Sequence, residues 1–354
     1  MTEHHDPRTL RVALAAPLPE ELCKRIEALE PRVTLLRDHA LLAPMRHAAD
    51  WPGDPAFQRS PEQQAALDSM IDSAEVLFSF PDVQTESLQR AVRSNPNLRW
   101  VQLMAAGGGA QVRSAAFSDE ELERVQFTTS AGVHGSPLAE FAVFGVFAGA
   151  KNLARLRRDQ ADHHWPSRWE MQQVSDMTVL VVGLGGIGKA TAQKFKALGA
   201  HVLGTTRRGE PVEHVDELVS IDDLGGAVAR ADAIIVTLPG TDETAGLIGR
   251  EVFANVKPGV ILVNVGRGTV IDEDAMIDAL RDHSIGFAAL DVFENEPLAA
   301  KSPLWDLPNV LVSPHTGALD ANEERRIADL FADNARRYLD GLPLRNVVDT
   351  VEFY

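Results

Sequence analysis

Four clusters in this 354-residue chain have residue types and spacings suited to chemistry. The first is Gly183-Leu-Gly185-Gly186-Ile187-Gly188, a G-x-G-x-x-G pattern between an apolar run (178–182) and the helix-forming stretch "KATAQKFKALG". In that context the first glycine permits a tight turn and the second lets a pyrophosphate approach the backbone. The third lets the helix pack on the strand. The helix N-terminus then offers unpaired N–H groups and a positive dipole end to phosphates. Away from such a strand and helix, the same glycines would be only a packing turn.

A carboxylate about 20 residues further on normally holds the adenosine ribose hydroxyls. Here the next apolar run, "HVLGTT", leads into Arg207 and Arg208, and no acid stands there. Asp222 and Asp223 lie too far along to replace it. Two guanidiniums beside threonine hydroxyls suit a 2′-phosphate instead. Thr206, Arg207 and Arg208 therefore predict NADP(H) in preference to NAD(H).

The other three clusters follow later apolar runs. Arg267 sits between glycines in "VILVNVGRGTVIDEDAM". Asp291, Glu294 and Glu296 lie in "GFAALDVFENEPL", and His315 lies in "VLVSPHTGAL". All fall at carboxyl ends of predicted parallel strands, where open α/β sheets place their ligands. An Arg, a carboxylate and a His meeting a nicotinamide suit hydride transfer to a 2-keto acid. The Arg binds the substrate carboxylate and polarises the ketone, and the His exchanges the carbonyl proton. The carboxylate orients the His and favours its charged form. Taken singly, each residue reads more plainly as a loop charge, a cap or a packed side chain.

Alternating strand and helix signals position these clusters. Strands are predicted at 10–16, 33–36, 74–80, 98–104 and 125–132, with a proline-rich loop at 43–62. A long helix is predicted from Pro137 to about Gln160. A second strand–helix series spans "MTVLVVG", "HVLGTT", "AIIVTLP", "VILVNVG", "GFAALDVF" and "VLVSP", and a helix covers 322–342. Near-continuous Val, Ile and Leu in these runs implies strands buried on both faces. The fold class is α/β, with two Rossmann-like or flavodoxin-like domains of parallel sheet and a cleft between them.

Length alone favours two domains. With 34 basic and 51 acidic residues the formal charge is −17, which repels polyphosphate backbones, so no nucleic-acid partner is expected. The basic run Arg155–Arg158 ("RLRR") reads as a solvated helix face. A single cysteine, Cys23, excludes an internal disulfide framework and reads as a packed residue on a helix. The polar N-terminus carries no signal-peptide pattern, and no apolar run reaches bilayer length. A cytoplasmic protein with no metal and no membrane partner is expected.

Five motifs in order resemble those of the D-isomer-specific 2-hydroxyacid dehydrogenases, closest in style to the glyoxylate/hydroxypyruvate reductase-like members. They are the glycine cluster, "TLPGTDETAGLIG" (237–249), "NVGRGTVIDEDAM" (264–276), "LDVFENEPL" (290–298) and "SPHTG" (313–317). The resemblance implies a catalytic set of Arg267, Glu296 and His315, the carboxylate being the one just before Pro297. It implies nicotinamide carboxamide contacts from Asp291 and the Val265 carbonyl. Further cofactor contacts fall at Leu238, Pro239, Thr244 and Gly317. Substrate carboxylate binding falls to Ala106, Gly107 and Gly108, together with Arg267 and His315. Residues 1–134 with 320–354 would form the substrate-binding domain, and 135–319 the dinucleotide domain. The 137–160 helix resembles one that family dimers exchange, implying a homodimer through the cofactor domain. Trp169 would either reach the neighbour's site or pack on its own surface. Formate dehydrogenase is disfavoured by Glu296, where that chemistry uses Gln. Phosphoglycerate dehydrogenase is disfavoured because no regulatory domain follows Tyr354. The rival reading is a nucleotide-sensing regulatory protein on the same fold, like the family's co-repressors.

Overall fold

The computed structural model describes residues 9–206, 209–351 and 353, so Arg207 and Arg208 lie outside the described residues. Two compact units divide the chain: Met1–Val133 with Leu319–Tyr354, and His134–Ala318.

In the first unit β1 (Leu10–Leu14), β2 (Val33–Leu36), β3 (Val76–Phe78), β4 (Trp100–Gln102) and β5 (Gln126–Thr128) form a parallel sheet in the order β2-β1-β3-β4-β5. Its helices are α1 (Glu20–Leu29), α2 (Pro61–Asp72), α3 (Thr85–Ser94), α4 (Gly109–Ser114) and α5 (Asp119–Arg124). Cys23 is fully buried on α1, and burial pushes its thiol up to about 11, as suits a packed and unreactive residue. The 43–60 loop is irregular but pinned. Arg46 donates to both oxygens of buried Asp50 and holds its carboxyl down at about 2. The Ala49 N–H donates to Glu324, and Arg59 forks onto Asp82. Ser60 and Gln63 then form a capping box that starts α2 at Pro61.

The second unit holds β6 (Thr178–Val182), β7 (His201–Thr205), β8 (Glu217–Val219), β9 (Ala233–Val236), β10 (Val260–Asn264), β11 (Ile285–Leu290) and β12 (Val310–Val312). They pair in parallel in the order β12-β11-β10-β9-β6-β7-β8. Its helices are α6 (Gly135–Ala150), α7 (Leu153–Ala161), α8 (Gly186–Ala197), α9 (Leu224–Val228), α10 (Arg250–Phe253) and α11 (Glu273–Arg281). The last helix, α12 (Glu323–Leu339), returns to the first unit, where Phe331 stacks on Trp100 at 5.0 Å and meets Phe78 edge-on at 5.2 Å. Buried Trp100 satisfies its indole N–H on Thr128 Oγ1, which donates onward to Gln102.

Two elements differ from the sequence expectation. The single helix from Pro137 is two helices, because Asn152 takes a left-handed conformation (φ 54°) and its side chain caps Arg155 N–H. Strand β8 was not expected. It is a three-residue edge strand, Glu-Leu-Val, too short to show a periodic pattern. After α7, Trp169 packs beneath the Arg155 guanidinium at 3.9 Å, whereas Trp165 is 96% exposed. No helix among the described residues is long and apolar enough to cross a membrane.

Candidate active site

The strand order of the second unit reverses between β6 and β9. Chains leaving the carboxyl ends of these neighbours diverge there and open a crevice. The segments that follow these parallel strands leave the same edge of the sheet, and they carry most of the residues singled out from sequence.

The loop after β6 is the glycine turn. Gly183 has φ 102°, and a Cβ on Gly188 would lie 1.9 Å from the Gly183 carbonyl oxygen. That neighbour is backbone and cannot step aside, so Gly188 allows α8 to start against β6. Gly185, the α8 N-cap, faces open space, with nothing within 4 Å of a Cβ built there. Two threonines lock the turn. Thr205 Oγ1 accepts from Gly183 N–H at 2.9 Å, and Thr237 Oγ1 donates to the Gly183 carbonyl at 2.5 Å. Thr205, at the end of β7, therefore serves the turn. Leu238 closes over Gly183 from the loop after β9. Thr244 accepts from Thr241 N–H and donates to the Pro239 carbonyl, staples within that same loop.

After β10, buried Asn264 shapes the Arg267 turn. Its Oδ1 accepts from Gly266 N–H at 3.1 Å and its Nδ2 donates to the Arg267 carbonyl at 3.1 Å. Val265 is buried and pairs with β9 through the Val236 carbonyl. The Arg267 side chain donates to the Gly266 carbonyl, and it pairs with no carboxylate among the described residues. Gly268 lets this turn touch the next: a Cβ there would overlap the Phe293 carbonyl carbon at 1.8 Å.

The loop after β11 is folded on itself by Glu296, whose Oε1 accepts from Phe293 N–H at 3.0 Å. Its Oε2 lies 2.7 Å from His315 Nδ1. The Glu294 backbone N–H donates to Glu273 Oε2 at 3.2 Å. Burial pushes the Glu273 carboxyl above the ordinary carboxylate range, against the pull of that N–H. His315 itself is left-handed (φ 53°), and its side chain is 48% exposed. With Nδ1 on the carboxylate, Nε2 is the ring atom left to meet a ligand.

Asp291 joins these loops. It is buried, and its Oδ1 accepts from Ser313 Oγ at 2.5 Å, Thr316 N–H at 3.0 Å and Gly317 N–H at 2.9 Å. Its Oδ2 is buried with no hydrogen-bond partner among the described residues. Ala106, Gly107 and Gly108 belong to the other unit, where Gly108 packs on Leu103 and the chain turns into α4.

A family model described as "D-isomer specific 2-hydroxyacid dehydrogenase, NAD binding domain" matches residues 143–317. The chain belongs to the D-isomer-specific 2-hydroxyacid dehydrogenase family.

Among its relatives, D-3-phosphoglycerate dehydrogenase of Mycobacterium leprae is 41% identical over 207 residues, covering 57% of this chain and 38% of that one. Glyoxylate/hydroxypyruvate reductase B of Pectobacterium carotovorum is 40% identical over 209 residues, covering 58% and 65%. The chain thus spans less than two thirds of either curated relative. A D-isomer specific 2-hydroxyacid dehydrogenase from Xanthobacter autotrophicus, solved with NADPH and MES, is similar over 98% of this chain and 100% of that one. Its identity is 29% and the TM-score 0.76.

The family's dinucleotide fits the residues present. The turn is open above Gly185 at the head of α8, and one buried Asp291 oxygen lacks a partner. The Thr205 hydroxyl, which the sequence offered with Thr206 to a 2′-phosphate, bonds the Gly183 N–H instead, and sequence reasoning passed over Ser313, Thr237 and Asn264. Each lies inside a quoted motif, but short polar residues beside glycines signal turns in general, not the particular backbone group they bond.

Proposed function

We propose that this protein is an NAD(P)H-dependent reductase of small 2-keto acids of the glyoxylate or hydroxypyruvate type, forming the D-2-hydroxy acid. The observation that carries the reading is the 2.7 Å His315–Glu296 contact on the edge of a glycine-turn sheet. It is supported by the similarity to glyoxylate/hydroxypyruvate reductase B.

Gly183, Gly185, Gly186, Ile187 and Gly188 would hold the pyrophosphate, with Leu238, Pro239, Thr244 and Gly317 along the cofactor. The Val265 carbonyl and Asp291 Oδ2 would hold the carboxamide. The bound reduced nicotinamide supplies a hydride. Arg267 binds the substrate carboxylate and draws electron density toward the ketone oxygen, helped by backbone N–H groups of Ala106, Gly107 and Gly108. His315 gives the Nε2 proton to that oxygen, and Glu296 stabilises the ring while it is charged. Hydride at carbon and proton at oxygen balance the reduction of C=O to CH–OH.

NADP(H) is the favoured cofactor. At the end of β7 the sequence runs Thr205-Thr206-Arg207-Arg208 with no carboxylate among them, and the Xanthobacter relative was solved with NADPH. A homodimer through the cofactor unit is part of the same proposal. Phe144, Leu156, Trp165 and Met171 are exposed apolar side chains on α6, α7 and the segment after them. Trp165 suits contact with the neighbour better than Trp169, which packs on its own chain. A mass in solution of one chain would contradict the dimer.

His315→Ala is expected to lower keto-acid turnover by about 10²–10⁴-fold while NADPH binding, followed by fluorescence titration, stays within about threefold. Wild-type turnover would remove His315 as the acid. The double substitution Arg207→Ala with Arg208→Ala is expected to weaken NADPH far more than NADH. Equal loss for both cofactors would show that these arginines do not read the 2′-phosphate.

A further inference from the structure

The three donors on Asp291 Oδ1 are not equivalent. Thr316 and Gly317 belong to the turn that is being held, and their N–H groups move with it. Ser313 directly follows β12, and its own N–H donates to the Leu290 carbonyl at 2.9 Å, continuing the strand pairing. Its hydroxyl is therefore the donor that references the Asp291 carboxylate to the rigid sheet. A carboxylate's terminal torsion is broad and roughly two-fold, so packing alone does not choose which oxygen points where. His315 lies between the bracketing donors, with its N–H on the Ser313 carbonyl at 3.0 Å and its backbone left-handed.

We propose that Ser313 is a positioning residue. By donating to Asp291 Oδ1 it fixes the carboxylate's rotation, so that Oδ1 holds the 313–317 turn and aims His315 at Glu296. The same rotation keeps Oδ2 presented as the buried acceptor for the cofactor's carboxamide. The assignment rests on the reading of His315 as the acid and of Asp291 as a nicotinamide contact. It adds that one hydroxyl sets both at once. Losing a hydrogen bond to a buried charged group typically shifts an equilibrium by about 10- to 100-fold.

The test compares Ser313→Ala and Ser313→Thr with wild type. In the cofactor-free protein, ¹⁵N NMR of the His315 ring is expected to show a single Nδ1-hydrogen-bonded form in wild type and Ser313→Thr. Averaged ring signals are expected in Ser313→Ala. NADPH is expected to bind Ser313→Ala about tenfold or more weakly, while 2′-phospho-ADP-ribose, which lacks the nicotinamide, binds as to wild type. Turnover is expected to fall about 10- to 100-fold in kcat with the keto-acid KM nearly unchanged, and threonine is expected to restore it. Unchanged ring signals in Ser313→Ala would overturn the proposal, as would equal weakening of NADPH and the fragment, or failure of threonine to rescue. The ring and fragment arms involve no turnover. A wild-type protein that reduces no keto acid, yet shows the expected ring change, would sink the proposed function and leave the positioning role standing.

Discussion

An imidazole serves as an acid only if one ring nitrogen is held and the other is left to meet the reacting oxygen. The bond between His315 Nδ1 and Glu296 Oε2 meets that condition, and much of the second unit's sheet edge is arranged to keep it. Glu296 is itself held by the Phe293 N–H, so its carboxylate reaches His315 from a closed loop and not from a free chain end. His315 is held through its backbone by Asp291, whose donors flank it on both sides. The left-handed conformation at His315 is costly for a residue with a side chain, and the surrounding hydrogen bonds over-determine it.

Close backbone approach is the second constraint. The Arg267 turn reaches the Glu296 loop only because Gly268 carries no side chain, and α8 meets β6 only because Gly188 carries none. Loops following parallel strands thus converge without long connections, which is how an open sheet gathers residues distant in sequence. The first unit is built by the same rules around the Trp100–Phe331 stack, although that ring pair is contributed by segments more than 200 residues apart in the sequence.

The strands and the site motifs were legible because their signals are local. Buried parallel strands read as Val/Ile/Leu runs, and the glycine cluster sits between a strand and a helix whose patterns are unmistakable in sequence. The break at Asn152 was not legible, since a single residue's left-handed turn leaves the apolar pattern on either side intact. Strand β8 was missed because a three-residue edge strand has no periodicity to detect. Choosing Glu296 over Glu294 rested on family resemblance; in the structure the Glu296 carboxylate lies 2.7 Å from His315 Nδ1. The role of Asp291 as a hub for the 313–317 turn could not be read at all. It depends on how β11 and β12 pair, a relation between segments more than 20 residues apart.

The central claim is that this arrangement reduces a 2-keto acid with a nicotinamide. Initial rates of the purified wild-type protein, measured for NADPH and NADH against glyoxylate, hydroxypyruvate and a panel of other small 2-keto acids, test it most directly. The account predicts cofactor oxidation with at least one of these acids, faster with NADPH, and a product of D configuration where the acid yields a chiral alcohol. No oxidation of either cofactor across the panel would contradict it.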